Sequence, residues 1–213
     1  MGFKFLGNKI FKSVLIGDGA VGKTSIRKSY LGADFKENHL PTIGVELAQT
    51  NVEHNGETIK YIIWDLAGQP SFATVRKHYY QGCNGIFLVY SAVERDSFHN
   101  ASKWLVEAFR NIGKLPPTVV IANKIDLRPN FPKNQTVTYE EGKQFSDVFG
   151  KRLKVDTTFI ETSALTGENI KESFAEMLRM MYDEDMKRRE EVEKEEEPEK
   201  RSRFSFRRYD REV

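Results

Sequence analysis

Between an apolar β-type run, Phe11 to Ile16, and a helical pattern opening at about Lys23 lies Gly17-Asp-Gly-Ala-Val-Gly-Lys-Thr24. Few folds accept such a segment. Its glycines let backbone N–H groups converge on one point without side-chain collision. A helix starting directly behind them adds unpaired N–H groups and the positive end of its dipole. Lys23 supplies a point charge, and the Thr24 hydroxyl is a hard oxygen ligand. The segment reads as a phosphate-binding loop, in which Gly17, Asp18, Gly19, Ala20, Val21, Gly22, Lys23, Thr24 and Ser25 surround phosphates and Thr24 holds Mg²⁺. Taken alone, a glycine turn with a solvated lysine is the competing reading.

The strand–loop–helix grammar continues along the chain. Val45–Val52 and Glu57–Asp65 flank His54-Asn55-Gly56 and read as a hairpin. Ile86–Ser91 and Val119–Asn123 are continuous apolar runs of the kind buried on both faces, and Thr157–Thr162 adds a strand. Helices are expected from Ser97 to Asn111, with Trp104, Leu105 and Ala108 inward, and from Thr138 to Phe149 behind the capping-box pair Thr138 and Glu141. A last helix carries Ile170, Phe174, Met177, Leu178 and Met181 on one stripe. This alternation predicts an α/β fold, a mostly parallel sheet with helices on both faces.

With 213 residues, 39% apolar and 30% charged, the chain suits one such domain over residues 9–182 and a charged extension over 183–213. A net charge of +2 offers no nucleic-acid footprint, and the single cysteine, Cys83, suits a reducing, cytoplasmic setting. No apolar run approaches the ~20 residues of a membrane span. Glu190 to Glu199 is glutamate-rich; Lys200 to Arg211 is basic, with Phe204, Phe206 and Tyr209 interspersed. The extension is expected to begin as helix, through pairs such as Glu184–Arg188, and to be disordered past Pro198. Its basic–aromatic end also suits weak, salt-sensitive contact with an anionic membrane. Prenylation is not expected without a cysteine after Cys83, and Leu6 fits a myristoylation signal poorly. Phe3, Phe5 and Leu6 suit either a membrane contact or a strand extension packed on the domain.

Base choice comes from Asn123-Lys-Ile-Asp126, directly after a buried run. One carboxylate accepts from both N1–H and the exocyclic amine of guanine, a donor pair that adenine lacks. Asn123 suits the base edge and a tie between loops, and the Lys124 stem suits a base face. On its own the tetrapeptide is equally a solvated turn; behind a phosphate-binding loop it selects guanine over adenine.

Two further segments, Trp64-Asp-Leu-Ala-Gly-Gln69 and Pro41-Thr-Ile-Gly-Val-Glu46, resemble the WDxAGQ segment of Ras-like GTPases and the PTIGVD segment of their Rab branch. Glu161-Thr-Ser-Ala-Leu165 resembles the base-side ETSAx loop, and the resemblance runs from about Lys9 to Tyr182. It implies a three-layer P-loop domain of the Ras-like type, with a six-stranded, mostly parallel sheet whose second strand is antiparallel. It also implies a monomeric switch that binds GTP or GDP with Mg²⁺ and hydrolyses GTP slowly. On that resemblance Thr24, Thr42 and Asp65 serve Mg²⁺, and Gln69 orients the attacking water beside Lys23 and Thr42. Gly68 meets the γ-phosphate. Phe35, His39 and Pro41 flank the nucleotide, and Ser163, Ala164 and Leu165 join Asn123, Lys124 and Asp126 at the base. The Thr42 and Gln69 loops would engage effector, exchange factor and activating protein.

The chain departs from the family at three places. His39 stands where a tyrosine is usual, Leu66 replaces a threonine, and Pro70 follows Gln69 in place of a glutamate. Two alternatives stay open at this point. One is a GTP-binding scaffold with negligible turnover, supported by Leu66 and Pro70. The other is a P-loop ATPase or kinase, against which Asp126 argues.

Overall fold

The structure, a computed structural model, describes residues 9–32 and 42–209, with side chains through Lys194, Pro70 excepted. Phe3, Phe5, Leu6, Phe35, His39 and Pro41 fall outside the described residues.

Six strands, β1 (Lys9–Ile16), β2 (Val45–His54), β3 (Glu57–Leu66), β4 (Gly85–Ser91), β5 (Thr118–Asn123) and β6 (Thr157–Glu161), form one sheet in the order β2-β3-β1-β4-β5-β6. β2 runs antiparallel to β3 and every other pairing is parallel, as the sequence predicts. Asn55 and Gly56 both take positive φ, 51° and 75°, which closes the two-residue hairpin between β2 and β3.

Strand alternation sends side chains to two cores. Phe11 and Leu15 of β1 enter one with α1 (Lys23–Tyr30) and α5 (Ile170–Tyr209), where Phe174, Met177 and Met181 pack. Val14 and Ile16 enter the other beneath α2 (Ala73–Tyr80), α3 (Arg95–Ile112) and α4 (Tyr139–Leu153). Both faces of β4 and β5 are therefore covered, and every residue of these two strands is buried. Thr138 caps α4 by accepting from the Glu141 N–H while the Glu141 carboxylate accepts from the Thr138 N–H, the reciprocal pair expected there.

One element goes beyond the sequence reading and one differs from it. α2 has a mixed face, with Arg76 and Tyr80 its buried residues, so no apolar stripe announces it. The extension does not leave the helical state at Pro198: α5 continues to Tyr209. A proline forfeits one backbone bond, about 3 kcal/mol in a helix interior, but the glutamates, lysines and arginines flanking it are strong helix formers.

Candidate nucleotide-binding site

β1 lies between β3 and β4, so the chain leaves it in opposite directions to either side. Loops at the carboxyl ends of such strands open a crevice, and the Gly17–Thr24 segment leaves β1 there. Gly22 takes φ 101°, and a Cβ on it would come within 2.2 Å of Asn123 Nδ2. Only glycine gives both that turn and that approach. Lys23 is 6% exposed, and its ammonium donates to the carbonyls of Gly17 and Asp18 at 2.7 Å each. Burial draws its pKa down to about 8, against the charges of Asp65 and Asp18; the Arg76 charge lowers it further. Ser25 is buried in the first turn of α1, which has no side-chain cap and no acidic residue. The start of this helix carries the positive end of its dipole, which favours an anion.

Thr24 and Thr42 hydroxyls meet at 2.8 Å, and Thr24 donates to Asp65 Oδ2. Asp65 is fully buried, and its other carboxylate oxygen has no hydrogen-bond partner. Burial raises the Asp65 pKa, while the Thr24 bond and the Lys23 and Arg27 cations oppose the rise. Two hydroxyls and a half-satisfied buried carboxylate are the donor set a hard, oxygen-seeking cation takes, so the residues fit Mg²⁺. Arg27 of α1 pairs with Glu46 and lies 3.8 Å from Asp65, buttressing this corner.

The base-side loops converge on the same glycine segment. Asn123 Nδ2 donates to the Val21 carbonyl at 2.9 Å, and its Oδ1 accepts from Thr162 Oγ1 and the Ala164 N–H, both at 3.1 Å. The Ala164 N–H, expected at the base, is thus engaged by Asn123 here. Ser163 donates to Asp126 Oδ1 at 2.6 Å and aligns the carboxylate. Lys124 takes φ 67° at the turn, and Leu165 is exposed at the loop tip. Gly68 packs on the glycine loop so closely that a Cβ would stand 2.4 Å from the Asp18 carbonyl carbon. Leu66, the departure from the family's threonine, is fully buried in the α2–α3 core.

The sequence reading missed several supports. Asn100 and Trp104 of α3 donate to the two carboxylate oxygens of Asp18 at 2.8 and 2.7 Å. Their i,i+4 spacing places them on one helix face, a signal that was available. Arg27 and Arg76 gave none, because an arginine in a short helix reads as solvated.

Comparison with known proteins agrees with this geometry. The Ras family model matches residues 12–183. The chain is 37% identical to Ras-related protein RIC1 of Oryza sativa subsp. japonica and 36% to Ras-related protein RABD2a of Arabidopsis thaliana, over 79% of this chain and 78% of each relative. It is 39% identical to Ras-related protein RABA6b of Arabidopsis thaliana over 82% of this chain and 72% of that protein. Members of the family bind guanine nucleotides with Mg²⁺, and neither the scaffold nor the ATPase alternative is favoured by these matches. Fold, site and relatives agree that the chain belongs to the Ras family and is a Rab-like small GTPase, a GTP hydrolase.

Proposed function

We propose that the chain is a cytoplasmic switch of the signalling or membrane-traffic type, whose own site residues hold GTP·Mg²⁺ and whose output is nucleotide-dependent partner binding. The observation that carries this reading is the run Thr42–Thr24–Asp65, two linked hydroxyls ending on a buried carboxylate whose other oxygen has no hydrogen-bond partner. Bound there, Mg²⁺ would supply neutralisation of phosphate charge. Thr24 and Thr42 would hold it through their hydroxyl oxygens, and Asp65 through its carboxylate. Lys23, fixed by two carbonyls, gives its ammonium to the phosphates. Gln69 orients the attacking water; the water oxygen bonds to the γ-phosphorus as the bond from that phosphorus to the β-phosphate oxygen breaks, and a water proton is released, giving GDP and phosphate. Asp126, aligned by Ser163, accepts from the guanine edge.

Thr42 leads into β2, so loss of the γ-phosphate frees Thr42 and the Gln69 loop together. Partners read exposed apolar residues on these elements, Ile43, Leu47 and Val75, of which Leu47 pairs in register with Trp64, whose ring lies 4.7 Å from that of Tyr79. The basic end of the extension past Tyr182 makes weak contact with anionic membranes. Deleting the residues after Pro198 would abolish low-salt binding to anionic liposomes and leave GTP turnover unchanged.

Single-turnover hydrolysis tests the central reading. Mg²⁺-dependent conversion of GTP to GDP, with ATP unable to compete, is the expected result. No turnover above the uncatalysed rate, or displacement of GTP by equimolar ATP, would reject it.

A further inference from the structure

Among the described residues Arg76 is the largest fully buried side chain, yet nothing in the site as described requires it. It lies on α2, seven positions after Gln69. Its Nη1 donates to the carbonyls of Ala67 and Gln69 at 3.0 and 2.8 Å, the two residues that bracket Gly68. Its other edge forms a two-pronged pair with Glu107 of α3, Nε to Oε1 and Nη2 to Oε2 at 2.8 Å each. Tyr80 donates to the same carboxylate at 3.0 Å, and the guanidinium lies over the Trp104 ring at 4.6 Å. Trp104 in turn donates to Asp18 of the phosphate loop. One planar cation thus fastens the Gln69 loop to α3, and the ring beneath it is fastened to the phosphate loop.

A fork of N–H donors serves this task where an ammonium does not, because two carbonyls and a carboxylate must be met in one plane. The fork also restrains the main chain on both sides of Gly68, whose own approach to Asp18 leaves no room for a Cβ. A shift of the Gln69 backbone by about 1 Å would cost water orientation heavily in the transition state and ground-state binding little.

We infer that Arg76 is a positioning residue for hydrolysis: through its bonds to the Ala67 and Gln69 carbonyls and to Glu107 it presets where Gln69 stands, before any partner binds. The inference rests on the reading of Gln69 as the water-orienting residue, and its test separates the two.

Full-length parent, Arg76→Met, Arg76→Lys, Gln69→Leu and the Arg76→Met/Gln69→Leu double variant would be compared in single-turnover GTP hydrolysis, in GTP affinity, and in amide hydrogen exchange of residues 67–72. Arg76→Met is expected to slow hydrolysis about tenfold or more with GTP affinity changed less than about threefold, and to speed exchange in that segment. Arg76→Lys should recover part of the rate. The double variant should be no slower than Gln69→Leu alone, since both losses act through one side chain. A parental rate in Arg76→Met, or an undiminished further loss on the Gln69→Leu background, overturns the inference. If Gln69→Leu itself hydrolyses at the parental rate, the Gln69 reading falls and the catalytic role of Arg76 with it; unchanged exchange at 67–72 in Arg76→Met would then overturn the fastening as well. Should Arg76→Met fail to fold, Glu107→Gln, which keeps the shape and removes the charge, carries the same comparison with a smaller expected loss.

Discussion

Thr24 and Thr42 bring their hydroxyl oxygens to 2.8 Å although eighteen positions separate them in the chain. One belongs to the helix that opens behind the phosphate loop, the other to the stretch leading into the antiparallel edge strand. A ligand that draws both oxygens therefore ties the stretch leading into β2 to the helix behind the phosphate loop.

The two threonines are not equivalent, which gives the first prediction. Thr24→Val removes a ligand present with either nucleotide, so affinity for both GTP and GDP should fall by about 2 kcal/mol in Mg²⁺ and lose most of its sensitivity to chelation. Thr42→Val should weaken GTP and spare GDP. Titration of fluorescent nucleotides with and without Mg²⁺ checks both, and equal losses for GDP in the two variants would contradict the assignment.

Glycines of the phosphate loop should separate just as sharply. Gly22→Ala forces a side chain into a left-handed turn and to within 2.2 Å of Asn123 Nδ2, the atom that holds the Val21 carbonyl. A loss of about 1–3 kcal/mol in stability, with nucleotide affinity reduced, is expected. Gly19→Ala meets nothing within 4 Å and should unfold within about 0.5 kcal/mol of the parent. Urea titrations of the nucleotide-free proteins decide the matter.

Much of this was legible before any coordinates. Alternating short apolar runs and helical patterns predict the parallel sheet because strands buried on both faces must be apolar throughout, as β4 and β5 are. The glycine loop, Asp65 and Asn123-Lys-Ile-Asp126 are legible because their chemistry sits in contiguous residues. What stayed hidden depends on contacts distant in sequence. Arg76 and Glu107 are 31 positions apart, and Asp18 and Trp104 are 86 apart. Arginine in a helix reads as a solvated cation until a carboxylate and two carbonyls are seen to meet it. The continuation of α5 past Pro198 was hidden for a different reason, since local propensity there outweighs a single missing N–H.

Glu141 supplies a pH prediction away from the nucleotide. Hydrogen bonds from Arg95, then from the Thr138 backbone N–H, hold its pKa near about 2, below the ordinary 4.5. A carboxyl whose folded pKa is depressed adds stability above its unfolded pKa, and that stability is lost as pH falls from about 4.5 toward 2. Glu141→Gln should therefore be less stable than the parent at pH 6 and show a shallower acid limb in that window. The partial exposure of the pair keeps the difference small. Parallel acid limbs for the two proteins would show that the Arg95–Glu141 pair contributes nothing measurable.

The last prediction concerns the choice of base. Asp126 presents its carboxylate with one oxygen held by Ser163 at 2.6 Å, so its direction is set before a nucleotide arrives. A carboxylate accepts twice and donates nothing, which matches the N1–H and amine of guanine. Replacing it by an amide turns one acceptor into a donor. Asp126→Asn therefore leaves a guanine donor facing a donor and should weaken GTP binding by at least ~2 kcal/mol. The xanthine edge, which carries a carbonyl where guanine carries its amine, is served by that same change, so xanthosine nucleotides should gain affinity in the variant. Ser163→Ala should weaken GTP binding by a smaller amount, about 1 kcal/mol, because it removes the alignment and leaves the charge. Competition between GTP and XTP for the parent and both variants measures this directly. An Asp126→Asn protein that keeps parental GTP affinity and ignores XTP would place base recognition elsewhere in the site.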